Sequence, residues 1–171
     1  NRYFEQSPYK SFHIRQSHFF IHYQNIGIGF SNANMWWGPG VHTSLTMTNN
    51  TVGFPHLLIG TLNEKRYKNI GFDLRYIFTK LEKISGEPYY TALVLSAKIY
   101  NNPTITMGFS RNFISGGNTP DNSTISKWNA ALLPFQGIFI DNIIDDTNKD
   151  SGGHDFWDQT LAGYIVLDFK K

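Results

Sequence analysis

Four residues in one stretch of this chain have side chains suited to holding a sugar: Trp128, His154, Asp155 and Trp157. A flat indole stacks on a pyranose face, and a carboxylate or imidazole beside it binds the hydroxyls. All four lie between Arg111 and Gln159, where regular apolar patterning gives way to Gly116-Gly117-Asn118-Thr119-Pro120-Asp121-Asn122-Ser123 and then to the polar run from Asp145 to Asp158. A connection of that length inside one domain is more often functional than inert. The competing reading of the two tryptophans is structural: they anchor the loop or join an aromatic girdle.

Other reactive groupings fall short of a site. The sequence contains no Gly-x-Ser-x-Gly elbow, no P-loop and no His-Glu-x-x-His. His18 and His22 are spaced like a helical metal pair, but on a strand they stand about 13 Å apart and cannot share one zinc. With His13, they read as interior or interface residues. Asp146-Thr147-Asn148-Lys149-Asp150-Ser151-Gly152 offers oxygens at positions 1, 3 and 5 of a calcium loop, yet its glycine falls at position 7 and position 12 holds no Glu. Asp141, Asp145 and Asp155 are carboxylates of the kind glycosidases pair, but sequence does not set their separation. The expectation is therefore no catalytic residue, no metal and no cofactor. Zero cysteines removes disulfides and thiolate ligands as well.

The elements that position these residues read as strands. From Ile70 to Phe78 the even positions are Ile70, Phe72, Leu74, Tyr76 and Phe78, while the odd ones are Gly71, Asp73, Arg75 and Ile77. This two-residue period lasts for about nine residues, the length of a tilted strand crossing a bilayer. Tyr76 and Phe78 would then lie in an interfacial aromatic girdle, and Asp73 and Arg75, on one face, would form an ion pair. Thr104 to Ser110 sets Ile105, Met107 and Phe109 against Thr104, Thr106, Gly108 and Ser110. Thr160 to Phe169 sets Leu161, Gly163, Ile165, Leu167 and Phe169 against Thr160, Ala162, Tyr164, Val166 and Asp168.

About eight strands are expected, near 11 to 23, 25 to 32, 43 to 49, 56 to 62, 68 to 80, 89 to 100, 103 to 112 and 159 to 170. Asn101-Asn102-Pro103 reads as a tight antiparallel turn. Ser126 to Leu133 could form one or two helical turns, stopped by Pro134.

Composition narrows the class. Only 16% of the 171 residues are charged, against about 25% in soluble domains, and 16% are aromatic. No apolar run approaches the roughly 20 residues of a membrane-spanning helix, so alternating strands are the remaining way to cross a bilayer. A soluble antiparallel sandwich also alternates, but its wet face usually carries many Lys and Glu, whereas here the second face is mostly Gly, Ser and Thr. The net charge of +2, with basic pairs only at Lys65-Arg66 and Lys170-Lys171, gives no nucleic-acid footprint.

One motif is far more specific than these patterns. Met35-Trp36-Trp37-Gly38-Pro39-Gly40 is followed by Thr43-Ser44-Leu45-Thr46-Met47-Thr48-Asn49-Asn50 and, after a short gap, Pro55. A proline flanked by glycines forces a sharp corner. The string resembles the signature region of the Wzi family of capsule-assembly proteins, with the family's Asn-Ala-Pro drawn out here over Asn49 to Pro55. In that reading Trp36, Trp37, Gly38, Pro39, Gly40, Ser44, Asn49 and Asn50 are structural residues of a turn against a barrel interior.

The resemblance implies an all-β, antiparallel transmembrane β-barrel of the outer-membrane type, larger than eight strands. Residues 1–171 would be a partial β-barrel domain with a long extracellular loop at about 111–159. It further implies a non-enzymatic protein in the outer membrane of a Gram-negative bacterium that binds surface polysaccharide and assists capsule assembly or attachment. Its partners would be capsular or other surface polysaccharide, outer-membrane lipid and other outer-membrane proteins. The rival function is a structural docking subunit of a larger outer-membrane complex, in which polysaccharide plays no part.

Overall fold

The computed structural model describes residues 16–35, 37–38, 53–81, 86–116, 125–136 and 157–169. The expected strand at 43 to 49 lies outside them. Seven of the eight strands form one antiparallel meander: β1 (His18–Tyr23), β2 (Ile26–Ser31), β3 (His56–Thr61), β5 (Ile70–Lys80), β6 (Tyr89–Ile99), β7 (Thr104–Ser115) and β8 (Trp157–Asp168). The eighth, β4 (Lys65–Tyr67), lies end to end with β3 along the same edge of β5, so the two act as one interrupted strand. The expected strand at 68 to 80 thus begins at Ile70, after a two-residue turn in which Lys68 adopts a positive φ, and β4 lies between the expected strands.

The strands have the reach that a bilayer requires. β5 and β6 have 11 residues each, and β7 and β8 have 12, against the roughly 9–11 of a tilted crossing. Among the described residues no helix is long and apolar enough to cross a membrane.

Register turns the two-residue period into two continuous faces. Phe72 pairs with Ala97, which pairs with Met107, which pairs with Ile165. Likewise Phe30 pairs with both Phe19 and Leu57. One face therefore carries Phe19, Ile21, Tyr23, Ile26, Ile28, Phe30, Ile70, Phe72, Leu74, Leu95, Met107, Leu161, Ile165 and Leu167, all of them exposed. The opposite face carries Gly27, Gly29, Ser31, Asp73, Arg75, Ser96, Thr106, Gly108, Ser110, Thr160 and Ala162. No second sheet covers the apolar face among the described residues: Phe72 and Leu74 remain 39% and 37% exposed. That is the reverse of a soluble sandwich, which hides its apolar face.

Connections are sorted by end. Gln24-Asn25, Lys68-Asn69 and residues 100–103 close one end with short turns. Gln24 and Asn25 both have positive φ, the geometry of the turns that best join twisted antiparallel strands. Residues 32–55, 81–88 and 116–156 all leave from the other end.

Two connections send a described segment back onto the sheet, one to each face. On the polar face Trp37, 5% exposed, packs with Ile77, Tyr90 and Ala92, flanked by Met35, Phe54, Leu58 and Val94. On the apolar face lie α1 (Lys127–Leu132) and a 3-10 turn (Leu133–Phe135). Ser126 caps α1 by accepting from the Asn129 amide at 3.1 Å. Pro134, expected to stop the helix, lies within the 3-10 turn that follows it.

Candidate functional site

On the polar face a built arrangement lies near the middle of the long strands. Trp37 and Gly38 arrive from the 32–55 connection beside Asp73, Arg75, Ser96, Ser110 and Tyr164, which together line a recess of about 160 Å³. Asp73 and Arg75, two residues apart on β5, form an ion pair at 3.0 Å, and Thr61 donates its hydroxyl proton to Asp73. Gly38 has φ +132°, a region open mainly to glycine, so the chain turns there just after burying its indole. On β7, Gly108 pairs with Tyr164 of β8, and the phenol ring lies so close over the glycine that a Cβ would overlap it. His18 and His22 belong to the same face of β1, His22 being stacked near Phe20 at 6.3 Å.

Toward the long-connection end the apolar face is dressed differently. Tyr76 donates to the carbonyl of Ala131 at 2.7 Å and stacks on Phe135 at 5.6 Å. Thr91 donates to the carbonyl of Ala130 at 2.8 Å. Arg111 donates to the carbonyls of Gln136 at 2.6 Å and Pro134 at 3.3 Å, and to the side chain of Gln159 at 3.3 Å. Polar residues on this face are thus gathered under α1 and its 3-10 turn. Tyr76, expected in an exposed aromatic girdle, is buried here because the helix backbone takes its hydroxyl. Phe78 keeps an aromatic neighbour instead, stacked on Tyr89 at 5.7 Å.

The short-turn end carries its own aromatic set. Tyr23 and Tyr67 stand exposed on the apolar face, and Lys68 lies 5.5 Å from the Tyr67 ring. Tyr100, in the turn after β6, donates to Glu64 and lies under the Arg66 guanidinium at 4.1 Å. That hydrogen bond, with a smaller contribution from desolvation, raises the Tyr100 pKa above the ordinary phenol value.

The structure separates the four residues picked out for sugar contact. Trp128 projects from α1 with 76% exposure. Trp157 opens β8 and packs edge-on against Phe113 at 5.4 Å, half-buried. No ring contact joins the two among the described residues, and His154 and Asp155 lie outside them. Of the motif residues, Trp37 and Gly38 are placed as above, whereas Trp36, Pro39, Gly40, Ser44, Asn49 and Asn50 lie outside the described residues. The Arg111 staple went unnoticed in the sequence. A lone arginine among Ile105, Met107, Phe109 and Phe113 at alternate positions was its only signal.

Comparison with known proteins decides the family. A family model described as "Capsule assembly protein Wzi" matches residues 3–163, nearly the whole chain. The chain belongs to the Wzi family. No curated protein and no solved structure matches it. Wzi proteins are outer-membrane β-barrels of capsule assembly, which assigns the two faces of this sheet. The apolar face is the barrel's outer wall, and the Gly, Ser, Thr and Asp-Arg face lines its interior. In this Wzi chain the tryptophan of the signature motif is thereby an interior residue, while α1 lies against the outside of the wall.

Proposed function

We propose that this chain forms part of a barrel that binds capsular polysaccharide at its long-connection end and helps hold the capsule to the cell without catalysing a reaction. The observation that carries this reading is the sorting of connections: 32–55, 81–88 and 116–156 share one end, with short turns at the other. Outer-membrane barrels keep their long loops outside the cell, where a capsule is found. Membership of a capsule-assembly family supplies the polymer class.

Within that end, the contact segment is residues 154–157. His154 and Asp155 supply hydrogen-bonding groups in the sequence just before β8, and Trp157, which opens that strand, is half-exposed. The reaction is binding alone, so the sugar is oriented by stacking and hydroxyl contacts.

The test is titration of the purified, detergent-solubilised protein with capsular polysaccharide. Saturable binding that falls about tenfold or more in Trp157→Ala is expected. An intact protein that binds no polysaccharide would leave the docking-subunit role in its place.

A further inference from the structure

Trp128 is the most exposed tryptophan described in the chain, and its neighbours suit lipid better than sugar. It and Leu132 are four residues apart on α1, hence on one side of the helix, and both are exposed. The side toward the wall is different: Ala130, Leu133 and Pro134 are buried there, and the carbonyls of Ala130 and Ala131 accept from Thr91 and Tyr76. The helix is pinned, so its outward side is fixed.

What that side meets follows from its position on the wall. Below α1 the outer wall is exposed and apolar at Phe72, Leu74, Leu95, Met107 and Ile165. Beneath α1 it turns polar at Thr91, Arg111, Ser115 and Gln159. An arginine facing mid-bilayer lipid is strongly destabilising, whereas near the interface it costs little. The change from apolar to polar therefore marks where hydrocarbon ends. Leu161, 59% exposed, is the register partner of Arg111, whose guanidinium holds the carbonyls just after α1. The lipid-facing surface thus runs without a break up to the helix.

We propose that α1 lies on the outer wall in the membrane interface, with Trp128 and Leu132 inserted among the upper acyl chains of the outer leaflet. Covering the wall removed Tyr76 from the aromatic girdle, and the helix supplies Trp128 in its place, opposite Tyr23 and Tyr67 at the other interface. Lys127, exposed one residue away, stands at headgroup level. The assignment rests on the barrel reading of the apolar face and, for the choice of leaflet, on the outward direction of the long connections. It does not rest on polysaccharide binding.

The absence of cysteine from these 171 residues makes the test direct. The full-length protein is reconstituted in phospholipid vesicles with a nitroxide spin label on Trp128→Cys, Leu132→Cys or Lys127→Cys. Collision with oxygen, which concentrates in lipid, should exceed collision with a water-soluble nickel complex at 128 and 132, and the order should reverse at 127. Nickel collision dominating at all three positions would overturn the proposal. Should a cysteine variant fail to fold, the unlabelled protein serves in vesicles of lipid brominated on the upper acyl chain. A tryptophan component quenched there and lost in Trp128→Phe supports insertion, and equal quenching in both proteins contradicts it. Polysaccharide affinity within about twofold of the parent in Trp128→Ala separates this role from glycan contact, and a tenfold loss would return Trp128 to the glycan.

Discussion

At the residue scale the signature motif acts through Trp37. Its indole fills the interior against Ile77, Tyr90 and Ala92, and Gly38 turns the chain away immediately afterwards. Truncating a buried aromatic costs about 3–5 kcal/mol. Trp37→Ala should therefore lower the unfolding free energy in vesicles by that amount, read from urea titration, and Trp37→Phe by less. Gly108 and Tyr164 form a second interior unit in which the glycine leaves room for the ring. Gly108→Val should cost about 1–3 kcal/mol through crowding. Adding Tyr164→Ala should recover part of that loss, so a double-mutant cycle on unfolding free energy should show non-additivity of about 0.5–3 kcal/mol. Simple additivity would mean that the ring does not need the space. That the motif makes a corner was legible from Gly-Pro-Gly. The particular partners of Trp37, which are Ile77, Tyr90 and Ala92, lie on strands forty and more residues away and could not be read locally.

At the element scale the long strands were the most legible part. β5, β7 and β8 alternate along most of their length because one neighbour is lipid and the other a crowded interior, two environments that admit different residue types. The short helix at 127–132 was legible too, from its flanking Ser126 and Pro134. Its packing face was not, since it is fixed by Tyr76, Thr91 and Arg111 on three separate strands. Removing that staple should free the segment without unfolding the wall. Arg111→Met leaves the carbonyls of Pro134 and Gln136 without their donor, a loss of about 1–3 kcal/mol. Limited proteolysis in vesicles should then show faster cleavage within 116–136 while the heat-dependent gel shift of a folded barrel persists. Unchanged cleavage would mean that other contacts hold the segment. Of the candidate sugar residues, His154 and Asp155 could be placed neither by periodicity nor by register.

At the scale of the whole molecule, which side of the sheet meets hydrocarbon decides everything else. The described sheet is an open arc with β1 and β8 at its edges. In lipid an open edge leaves backbone donors and acceptors unpaired, so both edges need strand partners in the assembled barrel. Closure follows if the outer wall is as assigned, and adjacent residues of one strand can test that assignment. Ile165 and Val166 are both exposed, at 70% and 37%, and point to opposite faces of β8. Unfolding free energies of Ile165→Arg and Val166→Arg in vesicles are the most direct measurement. Ile165→Arg should cost about 2–4 kcal/mol as a charge facing lipid, while Val166→Arg, facing the interior, should change stability by less than about 1 kcal/mol. Equal tolerance of arginine at the two positions, or a larger loss at Val166, would contradict the barrel orientation on which the function rests.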